Sequence, residues 1–326
     1  MNPKKVILIG AGNIGSRHLQ ALKEVKIPLE IFVVDPYQSS LSLAAERYES
    51  MPAGQLTHKV SYLNEIPSNL NKIDLAIIAT CSDIRAEVVR RLFKKSKVKY
   101  LILEKLLFGK KRDYSSINTL LKKTKTKAWV NCPMRMMPFY AGIQPEFFGQ
   151  AIFYNAVWSD YNLVTSAIHY LDHMVFLVGS DDFIINLDGL DPRPIPGKRQ
   201  GFLDLAGAMH VLFKNGSVGD FICNKKGNIP SLVQFHCSKA RCIVRETEGK
   251  AWVSRADGNW NWQEIGASIP FQSQLTTKLA EDILSKGTCQ LTEYEQSAKI
   301  HLQLLEPLLK FLNKHSSKKF NYYPFT

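Results

Sequence analysis

The sequence contains few cysteines and no long apolar run. Its six cysteines are scattered, with no pair in a C-x-x-C spacing and no histidine at a zinc-ligand spacing. They are Cys81, Cys132, Cys223, Cys237, Cys242 and Cys289. This pattern excludes a disulfide scaffold and a metal site, and it predicts free thiols. No stretch of roughly 18 or more apolar residues is present, which excludes a membrane-spanning helix. The first residues lack the apolar region of a signal peptide, so we expect a cytoplasmic protein.

Acidic residues are also scarce relative to basic ones. The chain has 42 Lys and Arg against 29 Asp and Glu, a formal net charge of +13. The basic residues are spread along the chain, with local clusters at 94–97, 110–112 and 122–127. Because no nucleic-acid-binding motif accompanies them, we interpret the clusters as solvated helix ends and expect no nucleic-acid or membrane partner. A second interpretation, that the positive field attracts an anionic substrate, stays open.

What the sequence does contain is a regular alternation of strand and helix patterns over residues 1–131. Short apolar runs at 6–9, 31–34, 74–79, 100–103 and 128–131 predict strands, and helical patterns lie at 14–25, 41–49, 84–94 and 114–123. Apolar runs of this length are typical of strands buried on both faces. The alternation therefore predicts a Rossmann-type α/β domain with a doubly wound parallel sheet.

The pattern changes from residue 132 to residue 326. One amphipathic helix (166–177) precedes strand patterns at 183–187, 203–213, 218–223, 232–237, 242–245 and 251–255, and two helices (274–284 and 294–312) follow. Asn215-Gly216 predicts a tight hairpin turn, and 191–201 is rich in Pro and Gly. We expect an α+β domain with a mostly antiparallel, open sheet. An open sheet has one face to bury, so we expect a homodimer or homotetramer.

A glycine motif follows the first predicted strand. Residues 10–15 fit G-x-G-x-x-G, with a buried strand before them and a helix after them. In that context the first glycine permits the tight turn, the second admits a pyrophosphate, and the third lets strand and helix pack closely. The anion then rests on the amides at the helix N-terminus. The motif predicts a dinucleotide site formed by Gly10, Gly12, Asn13, Ile14 and Gly15.

An acidic residue ends the second strand. Asp35 lies 20 positions after Gly15, where a carboxylate would accept hydrogen bonds from ribose hydroxyls and repel a 2′-phosphate. No Lys or Arg occurs from Pro36 to Glu46 to neutralise a phosphate. The expected cofactor is therefore NAD rather than NADP.

Several motifs in one order resemble the Gfo/Idh/MocA family of sugar and polyol dehydrogenases. They are VILIGAGNIGSRH at 6–18, Ile-Ile-Ala-Thr at 77–80, Glu-Lys at 104–105, Asn-Cys-Pro-Met-Arg at 131–135 and Ile-His-Tyr-Leu-Asp at 168–172. The resemblance covers nearly the whole chain. It implies that Ala79, Thr80 and Glu104 contact the dinucleotide, and that Arg135, Thr165 and Asp172 belong to the substrate site.

The same resemblance implies that Lys105 and His169 face the nicotinamide and bind the reacting hydroxyl. Oxidation of an alcohol needs a base for the O–H proton and a positive group beside the developing alkoxide. A lysine among other cations can serve as that base. Lys105 is thus the predicted proton-transfer residue, with His169 as its partner on the substrate oxygen. Asp172, three residues after His169, either orients the imidazole or only binds solvent.

The chain also departs from the family's pattern. Leu106 stands where the family has proline, and Thr165 stands where it often has an aspartate, so a carboxylate base is missing there. Asp160 is a nearby carboxylate that could compensate. Arg85 replaces a common histidine and suggests a guanidinium near the cleft for a substrate carboxylate or phosphate.

These patterns predict an NAD-dependent dehydrogenase or reductase that acts on a hydroxyl or keto carbon of a sugar or sugar derivative. Acidic and nucleotide-activated sugars are among the candidate substrates. Two alternatives stay open because a fold does not fix a function. One is a non-catalytic sensor that binds NAD and a sugar, and the other is a redox-neutral enzyme that uses transiently reduced NAD.

Overall fold

The structure, a computed structural model, describes residues 2–159 and 162–326. The first part of the chain forms β1 Lys4–Ile9, α1 Asn13–Leu22, β2 Leu29–Val34, α2 Gln38–Glu49, β3 Lys59–Leu63, β4 Lys72–Ile78, α3 Ser82–Lys95, β5 Lys97–Leu103, α4 Lys111–Thr124 and β6 Lys127–Val130. The next part forms α5 Pro138–Phe147, β7 Phe153–Ser159, α6 Leu163–Val178, β8 Phe183–Asn186, β9 Ile195–Pro196, β10 Leu203–Asp204, β11 Gly207–Phe213 and β12 Val218–Asn224. The last part forms β13 Leu232–His236, β14 Ala240–Arg245, β15 Lys250–Arg255, β16 Trp262–Gly266, α7 Gln272–Lys286, β17 Thr292–Glu293 and α8 Tyr294–His315.

The first compact unit contains a seven-stranded sheet in the order β17-β6-β5-β4-β1-β2-β3. All pairings among β1 to β6 are parallel, and only the short β17 runs antiparallel. The strand order reverses between β1 and β4, which is where doubly wound sheets bind ligands beyond the carboxyl ends of their strands. The predicted parallel, doubly wound sheet is confirmed.

The first unit includes a segment from late in the chain. It is formed by Met1–Asn131 together with Pro270–Glu295, so α7 and β17 belong to it. The sequence analysis placed this segment with residues 132–326, and the structure corrects that assignment. The physical reason is burial: Leu275, Leu279, Ala280 and Ile283 form an apolar stripe on α7, and α7 packs against α1.

The second unit, Cys132–Ile269 with Gln296–Thr326, contains an eight-stranded sheet in the order β16-β15-β14-β13-β7-β12-β11-β8. Its pairings are antiparallel except for β7 with β12. One face is apolar and buried, with Tyr154, Phe221 and Phe235 among its side chains. Helix α6 packs against β12 and ends at Gly179, whose φ of 74° is the left-handed conformation favoured by glycine. The predicted open, mostly antiparallel sheet is confirmed.

Several local elements differ from the sequence prediction. The single strand expected over 203–213 is two, β10 and β11, because Gly207 adopts a φ of 113° at the start of β11. The sequence analysis assigned no element to β3, β7, β16 or α5. The Pro- and Gly-rich segment 191–201, expected as a loop, contains the two residues of β9, which pair with β10.

The lysine clusters lie mostly away from the glycine motif. Residues 94–97 and 122–127 fall where α3 and α4 end and where β5 and β6 begin, so they border the amino edge of the parallel sheet. The glycine motif borders the opposite edge, roughly 20 Å away for strands of this length. The cluster 110–112 begins α4, the helix end at which the dipole disfavours cations. This placement argues against the clusters at 94–97 and 122–127 as an attractor for an anionic substrate.

All six cysteines lie in the described ranges and are free thiols. Within those same ranges, no helix has the length and apolar character needed to cross a membrane. No group of three or more His, Cys, Asp or Glu residues that could hold a metal ion occurs among the described residues.

Candidate active site

The glycine motif forms a tight turn between β1 and α1. Gly10 has a φ of 95°, and a Cβ there would stand 2.9 Å from the backbone of Ala79 and Thr80. A Cβ on Gly15 would overlap the Gly10 carbonyl oxygen at 1.8 Å. Gly12 differs, since nothing lies within 4 Å of a Cβ built on it and the residue is exposed. Two glycines therefore allow the turn itself, and Gly12 leaves an open approach to the backbone.

The amino end of α1 provides the anion-binding part of this turn. Its first residue is Asn13, which is exposed, and Ile14 follows half-buried. Gly12 caps the helix without a side-chain hydrogen bond, and the first turn contains no acidic residue. The first amides of the helix thus have no side-chain acceptor at the cap, and the helix dipole favours an anion beside them. The residues present fit the pyrophosphate of a dinucleotide.

Asp35 lies against this turn. Its Oδ2 accepts a hydrogen bond from the Ala11 amide at 2.8 Å, and its Oδ1 accepts one from the Tyr37 amide at 2.9 Å. The residue is only 7% exposed. A carboxylate has about four lone-pair sites, so these bonds fix the side chain and still leave acceptors for a ribose. Thr80, whose backbone amide nitrogen lies next to Gly10, has a buried Oγ1 without a hydrogen-bond partner among the described residues.

We expect Asp35→Asn to weaken NAD binding about tenfold and to narrow the preference for NAD over NADP. The substitution keeps the shape but removes the charge, which strengthens bonds to ribose hydroxyls and repels a 2′-phosphate. Calorimetric titration with both dinucleotides measures the change. Asp74→Asn is the matched control, because Asp74 also accepts a backbone bond, from Lys5, near the amino edge of the same sheet. Equal dinucleotide affinities for Asp35→Asn and the unchanged protein would contradict the assignment.

Glu104, expected to contact the dinucleotide, has its carboxylate inside the first unit. Glu104 Oε1 bonds His18 Nε2 at 2.9 Å and Asn131 Nδ2 at 2.5 Å, and the residue is 4% exposed. His18 Nδ1 in turn bonds Thr276 Oγ1 of α7 at 2.8 Å. Burial raises the pKa of Glu104, but hydrogen bonds from His18 and Asn131 and the nearby cationic groups more than offset it and lower that pKa to about 2. The structure thus gives the Glu104 carboxylate two buried hydrogen-bond partners, while its contact with the dinucleotide stays a prediction.

Lys105 follows directly, in the segment after β5. It is half-buried, and it lies at the carboxyl edge of the sheet, two strands from the glycine turn. The Lys105–Leu106 peptide bond is cis. At strand spacing, two strands correspond to roughly 10 Å. The edge that carries the glycine turn therefore also carries the predicted proton-transfer residue.

Arg85 does not provide the expected guanidinium for a substrate anion. It is 2% exposed, and its guanidinium donates to the main-chain carbonyls of Thr80, Glu104, Leu106 and Leu107. The prediction was wrong because these carbonyls take up its donors inside the unit. The guanidinium instead ties the segment on both sides of Lys105 to the strand end at Thr80.

In the second unit, His169 lines a cavity of about 250 Å³, called the His169 pocket below. Its polar lining is Ser166, His169, Tyr170, Ser231, Glu246 and Thr247. Its apolar lining is Pro133, Met134, Met137, Trp158 and Ile269. Cavities that bind drug-sized ligands are typically about 300–1,000 Å³. The part of a ligand that enters this pocket is therefore small.

Arg135 and Asp172, both expected at the substrate site, bind each other. Arg135 Nε donates to Asp172 Oδ2 at 2.9 Å, and Asp172 is 1% exposed. Its burial excludes the role of binding only solvent, and the bond to Arg135 adds a partner that the sequence analysis did not consider. Orientation of the His169 imidazole by Asp172 stays a prediction. Thr165 lies on α6 one turn before His169 and is half-buried. Asp160 lies outside the described residues.

The pocket also contains a carboxylate that sequence analysis missed. Glu246 follows β14 in a one-turn 3-10 helix, Glu246–Glu248, and accepts hydrogen bonds from Tyr140, Tyr170 and Ser231. Burial raises the pKa of Tyr140 and Tyr170, and the Glu246 charge raises it further. The hairpin pairing of Leu232 with Arg245 could have placed Ser231 beside Glu246. Nothing local in the sequence indicated the two tyrosines.

Residues 4–132 match the family model described as an oxidoreductase family with an NAD-binding Rossmann fold, Gfo/Idh/MocA. This segment is therefore similar to the NAD-binding domain of that family. The match covers the strand, glycine turn and Asp35 described above. A search of curated proteins found no match.

Solved structures resemble the chain over nearly its full length. An oxidoreductase from Agrobacterium radiobacter, solved with NAD+, L-tartaric acid and magnesium, is 16% identical, with a TM-score of 0.71 over 93% of this chain and 94% of the other. UDP-N-acetylglucosamine 3-dehydrogenase GnnA from Acidithiobacillus ferrooxidans is 11% identical, with a TM-score of 0.72 over 94% and 97%. KijD10, a 3-ketoreductase from Actinomadura kijaniata solved with NADP, is 12% identical, with a TM-score of 0.66 over 93% and 95%. At these identities the likeness shows the fold alone: the first and second units each have the fold of the corresponding part of these proteins.

Proposed function

We propose that the chain is an NAD-dependent oxidoreductase that transfers a hydride between nicotinamide and a hydroxyl or keto carbon of a sugar or sugar derivative. The observation that carries the proposal is the carboxyl edge of the first unit's sheet. That edge combines an open glycine turn, an amino-terminal helix end and, two strands away, Lys105.

The proposed role of each residue follows from its position. The amides that begin α1 hold the pyrophosphate, and Asp35 holds the ribose. Bound NAD supplies the hydride acceptor or donor. Lys105 binds the reacting oxygen and exchanges its proton. In the second unit, His169 presents its imidazole in the His169 pocket. Apolar lining around His169, which includes Trp158, excludes water from the substrate.

The sugar class is supported by a neighbour rather than by direct contacts. The dehydrogenase from Acidithiobacillus acts, by its name, on UDP-N-acetylglucosamine, and the Agrobacterium enzyme was solved with tartaric acid. Nucleotide-activated and acidic compounds therefore stay in the first panel of substrates.

The test is a titration with NAD+, NADH and NADP+, followed by a 340 nm absorbance screen of neutral, amino, acidic and nucleotide-activated sugars in both directions. NAD binding with turnover of one sugar class supports the proposal. NAD binding with no turnover across the panel overturns it and favours the sensor. NAD retained through purification, with a sugar converted but no NADH accumulating, favours redox-neutral chemistry.

We also propose that the chain forms a homodimer or homotetramer through the outer face of the eight-stranded sheet. The strand register aligns Ile184, Leu212, Val218 and Phe153 in one row across four neighbouring strands. Ile184 is 70% exposed and Phe153 is 53% exposed. An exposed apolar row of this kind typically marks an interface.

Sedimentation should therefore give at least twice the monomer mass of 36.9 kDa. Phe153→Glu should shift the protein towards monomer, because it places a charge in the apolar row. Leu43→Glu is the control, since Leu43 is 39% exposed on α2 of the first unit. A monomeric unchanged protein, or dissociation by both variants alike, would rule out this interface.

A further inference from the structure

The Glu246 carboxylate is held on three sides. Tyr140 donates its hydroxyl to Oε1 at 2.8 Å, while Tyr170 and Ser231 donate to Oε2 at 3.2 and 2.8 Å. A carboxylate offers about four lone-pair sites. Three are in use, so one acceptor site is left, on Oε1.

The neighbours of Glu246 in the pocket also present acceptors. The hydroxyl hydrogens of Tyr170 and Ser231 are directed to Glu246, so their oxygens keep only lone pairs for a ligand. Both residues line the pocket with Glu246, and its lining, as far as the structure describes it, includes no Lys or Arg. This side of the pocket therefore requires a ligand that donates hydrogen bonds.

We propose that Glu246 is a substrate-binding and specificity-determining residue, which selects hydroxyl or amine donors and excludes a carboxylate or phosphate from the His169 pocket. The proposal rests on the proposed function, because it takes the pocket that contains His169 as the substrate pocket. It narrows the substrate to a neutral or amine-bearing polyol or sugar at this position. It also supplies a carboxylate from the strand side of the unit, where Thr165 of α6 supplies none.

The test compares three probes of one size, D-glucose, D-glucosamine and D-glucuronate, together with myo-inositol, by calorimetry on the NAD-saturated protein. We expect a neutral or amine-bearing probe to bind at least tenfold more tightly than glucuronate. Glu246→Gln should weaken that binding about tenfold, since a neutral acceptor bonds a hydroxyl less strongly than a carboxylate does. It should also lower the discrimination against glucuronate by tenfold or more.

Glu248→Gln is the matched control. Glu248 belongs to the same 3-10 turn but is exposed and paired with Arg245. Glu248→Gln should leave the affinities for glucose, glucosamine, glucuronate and myo-inositol unchanged. Glu246→Asp keeps the charge, so it should keep the rejection of glucuronate even if it binds neutral sugars less well. This variant tests the proposal if Glu246→Gln does not fold.

The outcomes separate this proposal from the proposed function. Tighter binding of glucuronate than of every other probe, no binding of any neutral or amino probe, or a Glu246→Gln protein with unchanged discrimination would overturn the role of Glu246. If a sugar is turned over but Glu246→Gln discriminates against glucuronate as the unchanged protein does, only the role of Glu246 is excluded. If Glu246→Gln loses neutral-sugar binding and neither it nor the unchanged protein turns over a sugar, only the oxidoreductase function is excluded.

Discussion

Lys105→Met will lower turnover by about 10²–10⁴-fold, the usual contribution of a positioned proton-transfer group, and will leave the NAD dissociation constant within about twofold. Methionine keeps most of the length and volume of the lysine stem but can neither bind the developing alkoxide nor take its proton. The glycine turn and Asp35, which form the proposed cofactor site, are untouched by the change. Steady-state kinetics on the sugar identified by the screen, with calorimetric titration of NAD, measure both effects.

A lysine-specific control is available in the same segment. Lys110 is exposed at the start of α4, so Lys110→Met removes one positive charge without reaching the reacting oxygen. We expect its turnover to stay within twofold. The pH profile of kcat/KM should lose the limb that belongs to the ε-amino group only in Lys105→Met. Similar losses in both variants would mean that net charge matters, and full turnover by Lys105→Met would exclude the proposed role.

The backbone around Lys105 is held in place even though the chain departs from the Gfo/Idh/MocA pattern at Arg85 and Leu106. Arg85 stands in place of a histidine, and its guanidinium bonds the carbonyls of Glu104, Leu106 and Leu107. Glu104 is anchored by His18 and Asn131. Lys105 therefore projects from a segment fixed on both sides, although Leu106 replaces the family's proline.

The parts of the fold that sequence predicted well are those with a strong local pattern. Strands β1, β4 and β5 are apolar throughout the half that is buried on both faces, so they were found within a few residues. Strand β3 is half-exposed at the sheet edge, and β16 is nearly all exposed. Their sequences, KVSYL and WQEIG, have no clear period, and pairing with a neighbour decides their conformation.

The residues of the candidate site likewise fall into those that a local sequence pattern predicts and those that only the fold brings together. The glycine turn and Asp35 lie within 26 residues of each other, so one motif could indicate them together. Glu246 and Tyr140 are 106 residues apart, and His18 and Thr276 are 258 apart. Only tertiary folding brings such side chains together. Arg85 shows that nearness to a motif can also mislead. Its guanidinium was interpreted as a group that binds a substrate anion, but backbone carbonyls accept its hydrogen bonds.

The buried hydrogen bonds of the Glu104 carboxylate predict the largest stability effect. Glu104→Gln should lower the free energy of unfolding by about 3 kcal/mol, because it weakens two buried hydrogen bonds to a carboxylate, each contributing roughly 1.5–3 kcal/mol. The glutamine fits the same space but presents a neutral amide to His18, which has no exposed surface, and to Asn131. Urea unfolding at pH 7, followed by circular dichroism, measures the difference. Glu30→Gln is the control: Glu30 pairs at the surface of the same sheet with the exposed Lys59, and it should cost less than about 1 kcal/mol.

The pH dependence separates the charge of Glu104 from its shape. Its pKa is lowered to about 2 in the folded protein, from 4.5 when unperturbed, so its contribution is fully present above pH 4.5 and is lost as the pH falls towards 2. The shift corresponds to about 3 kcal/mol of folding free energy. Since Gln does not titrate, the stability gap between the unchanged protein and Glu104→Gln should close over that range, while the gap to Glu30→Gln stays small. A gap that keeps its pH 7 size at pH 2.5 would show that the carboxylate acts through packing and not through its charge.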